Sequence, residues 1–407
     1  MLTKIVQRAR TPVFTSIQHL SHQLSTLSRR NELLADGILS GDRRSLSRAI
    51  TLVESQLSSH QDQAQLLLDH VLDQRRLRAR TGSSTASSLD NSSGASAGAG
   101  AGAGAGSGAG GAAATTSTNY LTSFRLGIAG PPGAGKSTFI ESLGLKLTSE
   151  GHRVAVIAID PSSSRTGGSI LGDKTRMTML SRDAKAFVRP AATWGTLGGL
   201  AQYTNDVVLL CEACGYDIVL VETVGLGQSE VAVDDAVDMC MLLLPPATGD
   251  DLQGVKKGIM EVADMVVINK ADGEFATAAK HAASSVRQAL QLSRQKTKHW
   301  KAKVLRCSAL TGDGVSEAWD TVREYRDVMS NTYTDESSDK NELVRKRAKQ
   351  SKEWMLRQFQ FRVLKELKNN QVISELGQNL EKDLIAGHVT PRAAAGKLFE
   401  EFRGQRR

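Results

Sequence analysis

From residue 124 onward, short and nearly continuous apolar runs recur along the chain, at 126–129, 154–159, 218–221, 239–244, 265–268 and 304–305. Between them lie stretches long enough for helices, some with helical spacing, as over 201–210. Strands apolar on both faces that alternate with helices predict a mostly parallel sheet covered on each side. Upstream the texture differs. Leu46, Ile50, Val53 and Leu57 fall on one stripe of a 3.6-residue period. Residues 66–68 with Val71 and Leu72 mark a second helix ending in the basic run 75–80. Gly41-Asp42 reads as a helix break followed by an N-cap. Two helices of this size cannot sustain a core of their own and are expected to pack on the downstream part of the chain. Beyond about residue 330 no strand pattern remains. Residues 339–369 predict a long helix with Val344, Ala348, Met355, Phe359, Val363 and Leu367 on related faces. A shorter helical region follows Thr390-Pro391, a cap and first-turn pair.

Composition divides the chain further. At 407 residues it is long enough for two or three structural units. Residues 82–118 are Gly, Ala, Ser or Thr at every position except Leu89, Asp90 and Asn91. Such a segment has nothing to bury, and as a coil it would span roughly 30–36 Å. The net charge is +8, and much of it sits in residues 1–30, where Lys4, Arg8, Arg10, Arg29 and Arg30 are accompanied by no acid. An Arg- and Ser-rich, acid-poor start without a continuous apolar core has the pattern of a mitochondrial presequence. The expected division is a transit peptide at 1–30, a helical region at 31–80, a flexible linker at 81–118, an α/β domain at 119–330 and a helical dimerisation region at 331–407.

Several function classes fall away. No run of 18 apolar residues occurs, which excludes a transmembrane helix. Four cysteines in so long a chain exclude a disulfide scaffold. Cys211-Glu-Ala-Cys214 lies in a predicted helix without a second Cys or His cluster nearby, and reads as core cysteines. The basic residues Arg345, Lys346, Arg347, Lys349 and Lys352 lie on a predicted helix, and aromatic content is 4%. They read as a solvated or partner-facing surface, with no nucleic acid as partner.

The strongest chemical signal is Gly130, Pro131, Pro132, Gly133, Ala134, Gly135, Lys136, Ser137 and Thr138. It matches GxxxxGK[ST] directly after a predicted strand and opens a helix, which is the context a phosphate-binding loop requires. Glycines let backbone N–H groups turn inward on phosphates, and the helix N-terminus adds a favourable dipole. Lys136 is expected on the β- and γ-phosphates and Ser137 on Mg²⁺. Asn269-Lys270-Ala271-Asp272 follows the strand at 265–268 as a base-recognition NKxD element does. The Asp272 carboxylate can accept from guanine N1–H and its exocyclic amine, a donor pair adenine lacks, and an unpaired buried acceptor costs about 1–3 kcal/mol. Asn269 would brace the loop or meet the base's other edge, and Lys270 would cover its face. Ser308, Ala309 and Leu310 read as a second base loop, offering backbone N–H groups to guanine O6.

Glu222, Thr223, Val224 and Gly225 end the run at 218–221, where a strand would deliver an acid and then a glycine that feels the γ-phosphate. Asp160, Asp173 and Glu222 are candidates for Mg²⁺ or its water shell beside Ser137. The loops at 165–169 and 245–257 read as mobile switches, the second carrying Asp250, Asp251, Gln253, Lys256 and Lys257. Gln228 stands three residues past Gly225, so no glutamine occupies the water-positioning place directly after it, and slow intrinsic hydrolysis is expected. The candidate catalytic residues are Lys136, Glu222, Gly225, Lys256 and Lys257. Three other readings compete: a metallochaperone GTPase, an amino-acid transport kinase using ATP, against which the NKxD element argues, and a structural nucleotide-binding scaffold without turnover.

Taken in order, GPPGAGKST, DPSSSRTGGSILGDKTRM, ETVGLGQSE, LLLPPATGDDLQG and NKAD resemble the MeaB/ArgK family of P-loop GTPases. The resemblance covers about residues 31–80 and 120–407. It implies a P-loop GTPase domain with N- and C-terminal helical extensions, using GTP/GDP and Mg²⁺. It further implies a chaperone of the mitochondrial matrix that binds methylmalonyl-CoA mutase, gates adenosylcobalamin loading with its delivery machinery, and forms a homodimer through C-terminal helices. Leu310 replaces the basic residue often third in the family's base loop, and the Gly/Ala linker differs from the family's compact connection.

Overall fold

The computed structural model describes residues 29–55, 57–80, 123–160, 177–192, 203–223, 233–246, 257–293, 295–333 and 341–404. Almost all of the expected transit peptide and the whole linker at 81–118 lie outside the described residues. The chain divides into two compact units, one ending at Val344 and the other comprising Arg345–Arg407.

In the first unit, seven strands form a sheet: β1 (Phe124–Ala129), β2 (Val154–Asp160), β3 (Ala186–Ala192), β4 (Ile218–Glu222), β5 (Met239–Leu244), β6 (Met265–Ile268) and β7 (Lys303–Arg306). Their order is β3-β2-β4-β1-β5-β6-β7, and every pairing is parallel. The residues of β1, β4, β5 and β6 are all buried, as strands covered on both faces must be. On one face Phe124, Leu126, Ile128, Met241 and Val267 pack with Phe139 and Leu143 of α4 (Lys136–Ser149) and with Trp319 and Tyr325 of α9 (Val315–Asn331). On the other, Ala129, Leu242, Leu244, Val266 and Ile268 meet Ala279, Ala282, Ala283 and Val286 of α8 (Ala276–Leu292).

The starts of three strands share one device. Asp217, Asp238 and Asp264 stand immediately before β4, β5 and β6. Each carboxylate accepts a backbone N–H at the start of the neighbouring strand: Arg153 at 2.7 Å, Arg125 at 2.8 Å and Cys240 at 2.9 Å respectively. Lys296 Nζ donates to Asp264 at 2.8 Å and to Asp234 at 2.7 Å, so the Asp264 charge is compensated where it is buried.

The sheet edge corrects the sequence reading. β3 belongs to none of the six apolar runs, because Arg189 and Pro190 interrupt it; proline is tolerated there because the strand lies at an edge. Arg189 is turned outward and grips the N-terminal helices. It donates to Ser47 O at 3.3 Å, Thr51 Oγ1 at 3.2 Å and Glu54 Oε2 at 2.7 Å. Those helices are α1 (Arg29–Leu39), α2 (Arg43–Val53) and α3 (Ser58–Arg80), which pack on one another and on α6 (Thr204–Ala213). Asp42 caps α2, accepting from Ser45 N at 2.8 Å, as Gly41-Asp42 predicts. Leu46, Ile50 and Val53 are buried, but Leu57 is 61% exposed, because α2 ends at Val53 and the stripe does not continue through the turn. Two short helices, α5 (Thr178–Arg182) and α7 (Lys257–Val262), also belong to this unit.

The second unit is helical: most of α10 (Glu342–Asn369), with α11 (Gln371–Ile385) and α12 (Pro391–Gly404), the last two packed on each other. Asn370 caps α11 by accepting from Ile373 N at 3.1 Å. Thr390 Oγ1 accepts from Ala393 N at 3.3 Å ahead of Pro391. Met355, Phe359, Leu364 and Ile385 are exposed.

Candidate functional site

In an open parallel sheet, ligands bind beyond the carboxyl ends of the strands, where the chain reverses its direction of travel across the sheet. Here that place is the end of β1, from which the chain runs to β2 and β3 on one side and later to β5, β6 and β7 on the other. Residues 130–135 form the turn between β1 and α4. Gly130 has φ +153°, and a Cβ there would lie 2.1 Å from Leu243 O; Gly135 has φ +85°, and a Cβ would lie 2.5 Å from Asn269 Nδ2. Both positions therefore require glycine. Gly135 is also the N-cap of α4 and offers no side chain to its first turn, so the positive end of a 14-residue helix faces the loop uncapped. Lys136 is buried and folds back over the turn, donating to Gly130 O at 2.8 Å and Pro131 O at 3.1 Å.

The next residue, Ser137, meets the end of β4: its Oγ donates to Glu222 Oε1 at 3.0 Å. A hydroxyl and a carboxylate thus converge beside the turn, two hard oxygen donors of the kind Mg²⁺ takes. Among the described residues no group of three or more His, Cys, Asp or Glu side chains could hold a metal ion. Asp160 ends β2 and Lys257 opens α7, but the side chains of both lie outside the described residues, as do Asp173, Gly225, Gln228, Lys256 and the loop at 165–169.

The base-recognition candidates follow β6 and β7. Asn269 is 1% exposed and spans two loops. Its Nδ2 donates to Ala134 O at 2.8 Å, and its Oδ1 accepts from Ala309 N at 2.9 Å. Of the two roles the sequence leaves open for it, the geometry is that of a brace. Lys270 holds φ +57° and is exposed. Asp272 is half-buried and opens a 3₁₀ turn (Gly273–Phe275) without spending its carboxylate on a cap. The second loop is closed on itself: Ser308 N donates to Asp313 O at 2.9 Å, and Thr311 N to Ser308 Oγ at 3.2 Å. Ser308 and Ala309 are buried, while Leu310 is 81% exposed. The fold therefore gathers residues 130–138, Glu222, residues 269–272 and residues 308–310 at the carboxyl ends of the strands.

Residues 115–372 match the family model described as "Methylmalonyl Co-A mutase-associated GTPase MeaB". The chain belongs to the MeaB family of GTPases. It is 43% identical to "Methylmalonic aciduria type A homolog, mitochondrial" of Mus musculus over 91% of this chain and 79% of that one. It is 44% identical to "GTPase ArgK" of Escherichia coli over 70% of this chain and 83% of that one. Among solved structures, "Crystal structure of LAO/AO transport system kinase" is similar with a TM-score of 0.62 and 31% identity, covering 92% of this chain and 97% of that one. The α/β fold with its phosphate-loop turn is thus that of a MeaB-family P-loop GTPase.

Two features of this MeaB domain are not visible in its motifs. Glu212 of α6 is 6% exposed and accepts from Arg125 Nε at 2.7 Å, Arg125 Nη2 at 3.0 Å and Ser123 Oγ at 2.7 Å, anchoring the start of β1. It is embedded in the CxxC sequence, where the cysteines draw attention away from it. Cys211 and Cys214 are buried core residues; burial pushes the Cys214 thiol up to about 11 and the Cys211 thiol well above its ordinary value. The second feature is Cys307, one residue before the base loop, whose thiol touches Asn269.

Proposed function

We propose that this chain binds GTP and GDP with Mg²⁺ and couples their exchange and hydrolysis to the loading of adenosylcobalamin into methylmalonyl-CoA mutase, which it also protects. The observation that supports the nucleotide reading is the Asn269 brace, which ties the turn at 130–135 to the loop at 308–310. In this reading the ammonium of Lys136 exchanges the Gly130 and Pro131 carbonyls for the β- and γ-phosphates, and the uncapped N–H groups of α4 bind the same oxygens. Asp272 accepts from guanine N1–H and the exocyclic amine, Lys270 covers the base, and the Ser308–Ala309–Leu310 backbone donates to O6. Ser137 and Glu222, with Asp160 and Asp173, would hold Mg²⁺, which when bound neutralises phosphate charge. Gly225 would sense the γ-phosphate through its N–H.

Hydrolysis is slow alone, because Leu226 and not glutamine follows Gly225. The client orders the loop bearing Lys256 and Lys257 and so completes the site, and by reciprocity nucleotide state sets client affinity. The mouse relative and the family description supply the mitochondrial location and the mutase by name, and the basic N-terminus agrees with the first. Exposed Met355, Phe359 and Leu364 on α10 support pairing with a second copy of the chain.

The test is calorimetry with GTP, GDP and ATP, followed by co-elution with apo-mutase in the presence of each nucleotide. Guanine nucleotides are expected to bind at least about 100-fold more tightly than ATP, and Lys136→Ala to abolish binding. ATP binding as tight as GTP would defeat the guanine assignment. Absence of co-elution under every nucleotide would defeat the client. Lys256→Ala or Lys257→Ala should lower mutase-stimulated turnover more than basal turnover; equal losses would confine these lysines to the nucleotide.

A further inference from the structure

Asn269 can brace two loops only if its amide is held one way round. Rotated by half a turn, it would present Nδ2 to the Ala309 N–H and Oδ1 to the Ala134 carbonyl, setting donor against donor and acceptor against acceptor. A third contact adds to the orientation those two partners set. Cys307 Sγ lies 3.4 Å from Asn269 Oδ1, and both residues are buried. The backbone of Cys307 is fixed independently: its N donates to Ile268 O at 2.8 Å, and its O accepts from Ala271 N at 2.9 Å. Gly314 presses on it, so closely that a Cβ there would lie 3.0 Å from the Cys307 Cα.

We infer that Cys307 is a positioning residue for nucleotide recognition: its thiol donates to Asn269 Oδ1 and locks the amide that ties the phosphate loop to the base loop. Burial raises the thiol to about 12, so it stays protonated and keeps the hydrogen it donates throughout the physiological range. A thiol is a weak donor, yet here it serves the second lone pair of a buried oxygen whose first is taken by Ala309 N. The inference rests on the guanine-nucleotide reading above and adds a residue that touches neither base nor phosphate.

The experiment compares Cys307→Thr with Cys307→Val, side chains of one shape that differ in a hydroxyl donor. GDP dissociation is followed with a fluorescent analogue by stopped flow, and the melting temperature of the nucleotide-free protein is recorded beside it. Cys307→Thr is expected within about twofold of the parent protein. Cys307→Val should release GDP about fivefold faster, the equivalent of one lost hydrogen bond of about 1 kcal/mol, with the association rate unchanged. If the two variants release GDP at equal rates, shape and not the donor matters, and the inference is overturned. Should the valine variant fail to fold, Cys307→Ser against Cys307→Ala repeats the comparison with smaller side chains, with the same expected and overturning results. Failure of the parent protein to bind GDP would instead refute the nucleotide reading itself.

Discussion

Replacing Glu212 by alanine should cost about 3–5 kcal/mol of folding stability, the range for removing one partner of a buried ion pair. Its side chain is 2% exposed and that of Arg125 is 9% exposed, so neither charge has water to fall back on. The bidentate contact and the Ser123 bond would vanish together, leaving the Arg125 guanidinium uncompensated at the start of β1. With a urea m-value of about 3 kcal/mol/M, the midpoint falls by roughly 1–1.7 M. The transition should be read through Trp300 and Trp319, which belong to the sheet core, with Trp354 of the second unit and Trp194 replaced by Phe. Two controls sharpen the outcome. Arg75 touches Glu212 at 3.6 Å with its side chain 25% exposed, so Arg75→Ala should cost less than about 1 kcal/mol. Replacing both charges by Arg125→Met and Glu212→Leu should recover most of the loss. Nucleotide affinity should hold in the folded fraction, because Arg125 and Gly130 are roughly 16 Å apart along the strand. A midpoint shift under about 0.3 M, or an Arg75→Ala loss as large as that of Glu212→Ala, would refute the buried-pair account.

Gly135→Ala forces a side chain into a left-handed φ of +85° and a Cβ to within 2.5 Å of Asn269 Nδ2, so GDP affinity should fall at least tenfold; an unchanged titration would show that the brace is dispensable. Asp272→Asn should turn preference towards xanthine nucleotides, whose C2 oxygen needs a donor, and retained guanine selectivity would contradict the role given to Asp272. A chain ended at Val344 keeps Leu343 in the sheet core and should scatter light as a monomer that still binds GTP, whereas a monomeric full-length protein at micromolar concentration would end the dimer proposal. Because the thiolate is the reactive form, Cys211, Cys214 and Cys307, all raised by burial, should resist a disulfide reagent at pH 8 until urea unfolds the chain; rapid native reaction at any of them would contradict their burial.

What the sequence discloses is what is written locally. The turn after β1 and the loops at 269–272 and 308–310 each occupy a handful of adjacent residues, and the runs at 239–244 and 265–268 coincide with β5 and β6. Where a strand departs from the apolar pattern, the signal fails: β3 carries Arg189 for the helix it holds and Pro190 on an edge strand. Helix ends fail similarly, since nothing in the spacing of Leu46, Ile50, Val53 and Leu57 announces that the chain turns after Val53. Long-range pairs are least legible. Arg125 and Glu212 are 87 residues apart, and no periodicity links them. The strand-start keys are an exception, because they leave a local trace. An aspartate directly before an apolar run occurs at Asp217, Asp238 and Asp264, and the repetition itself marks the common job.

Those three aspartates make the two edges of the sheet unequal to insertion. Each carboxylate is keyed to one N–H of a neighbour, so one residue added between Asp238 and Met239 would break the key or slide β5 by a single step. A one-residue slide turns every side chain to the opposite face, exchanging the residues that meet α4 and α9 for those that meet α8. At the carboxyl ends the comparable side-chain tie joins loops instead, Asn269 holding Ala134 and Ala309, so length added there strains the brace and not the strand register. An insertion at a strand start should therefore shift the sheet register, whereas one at a strand end should spare the register and disturb the loops that Asn269 ties together.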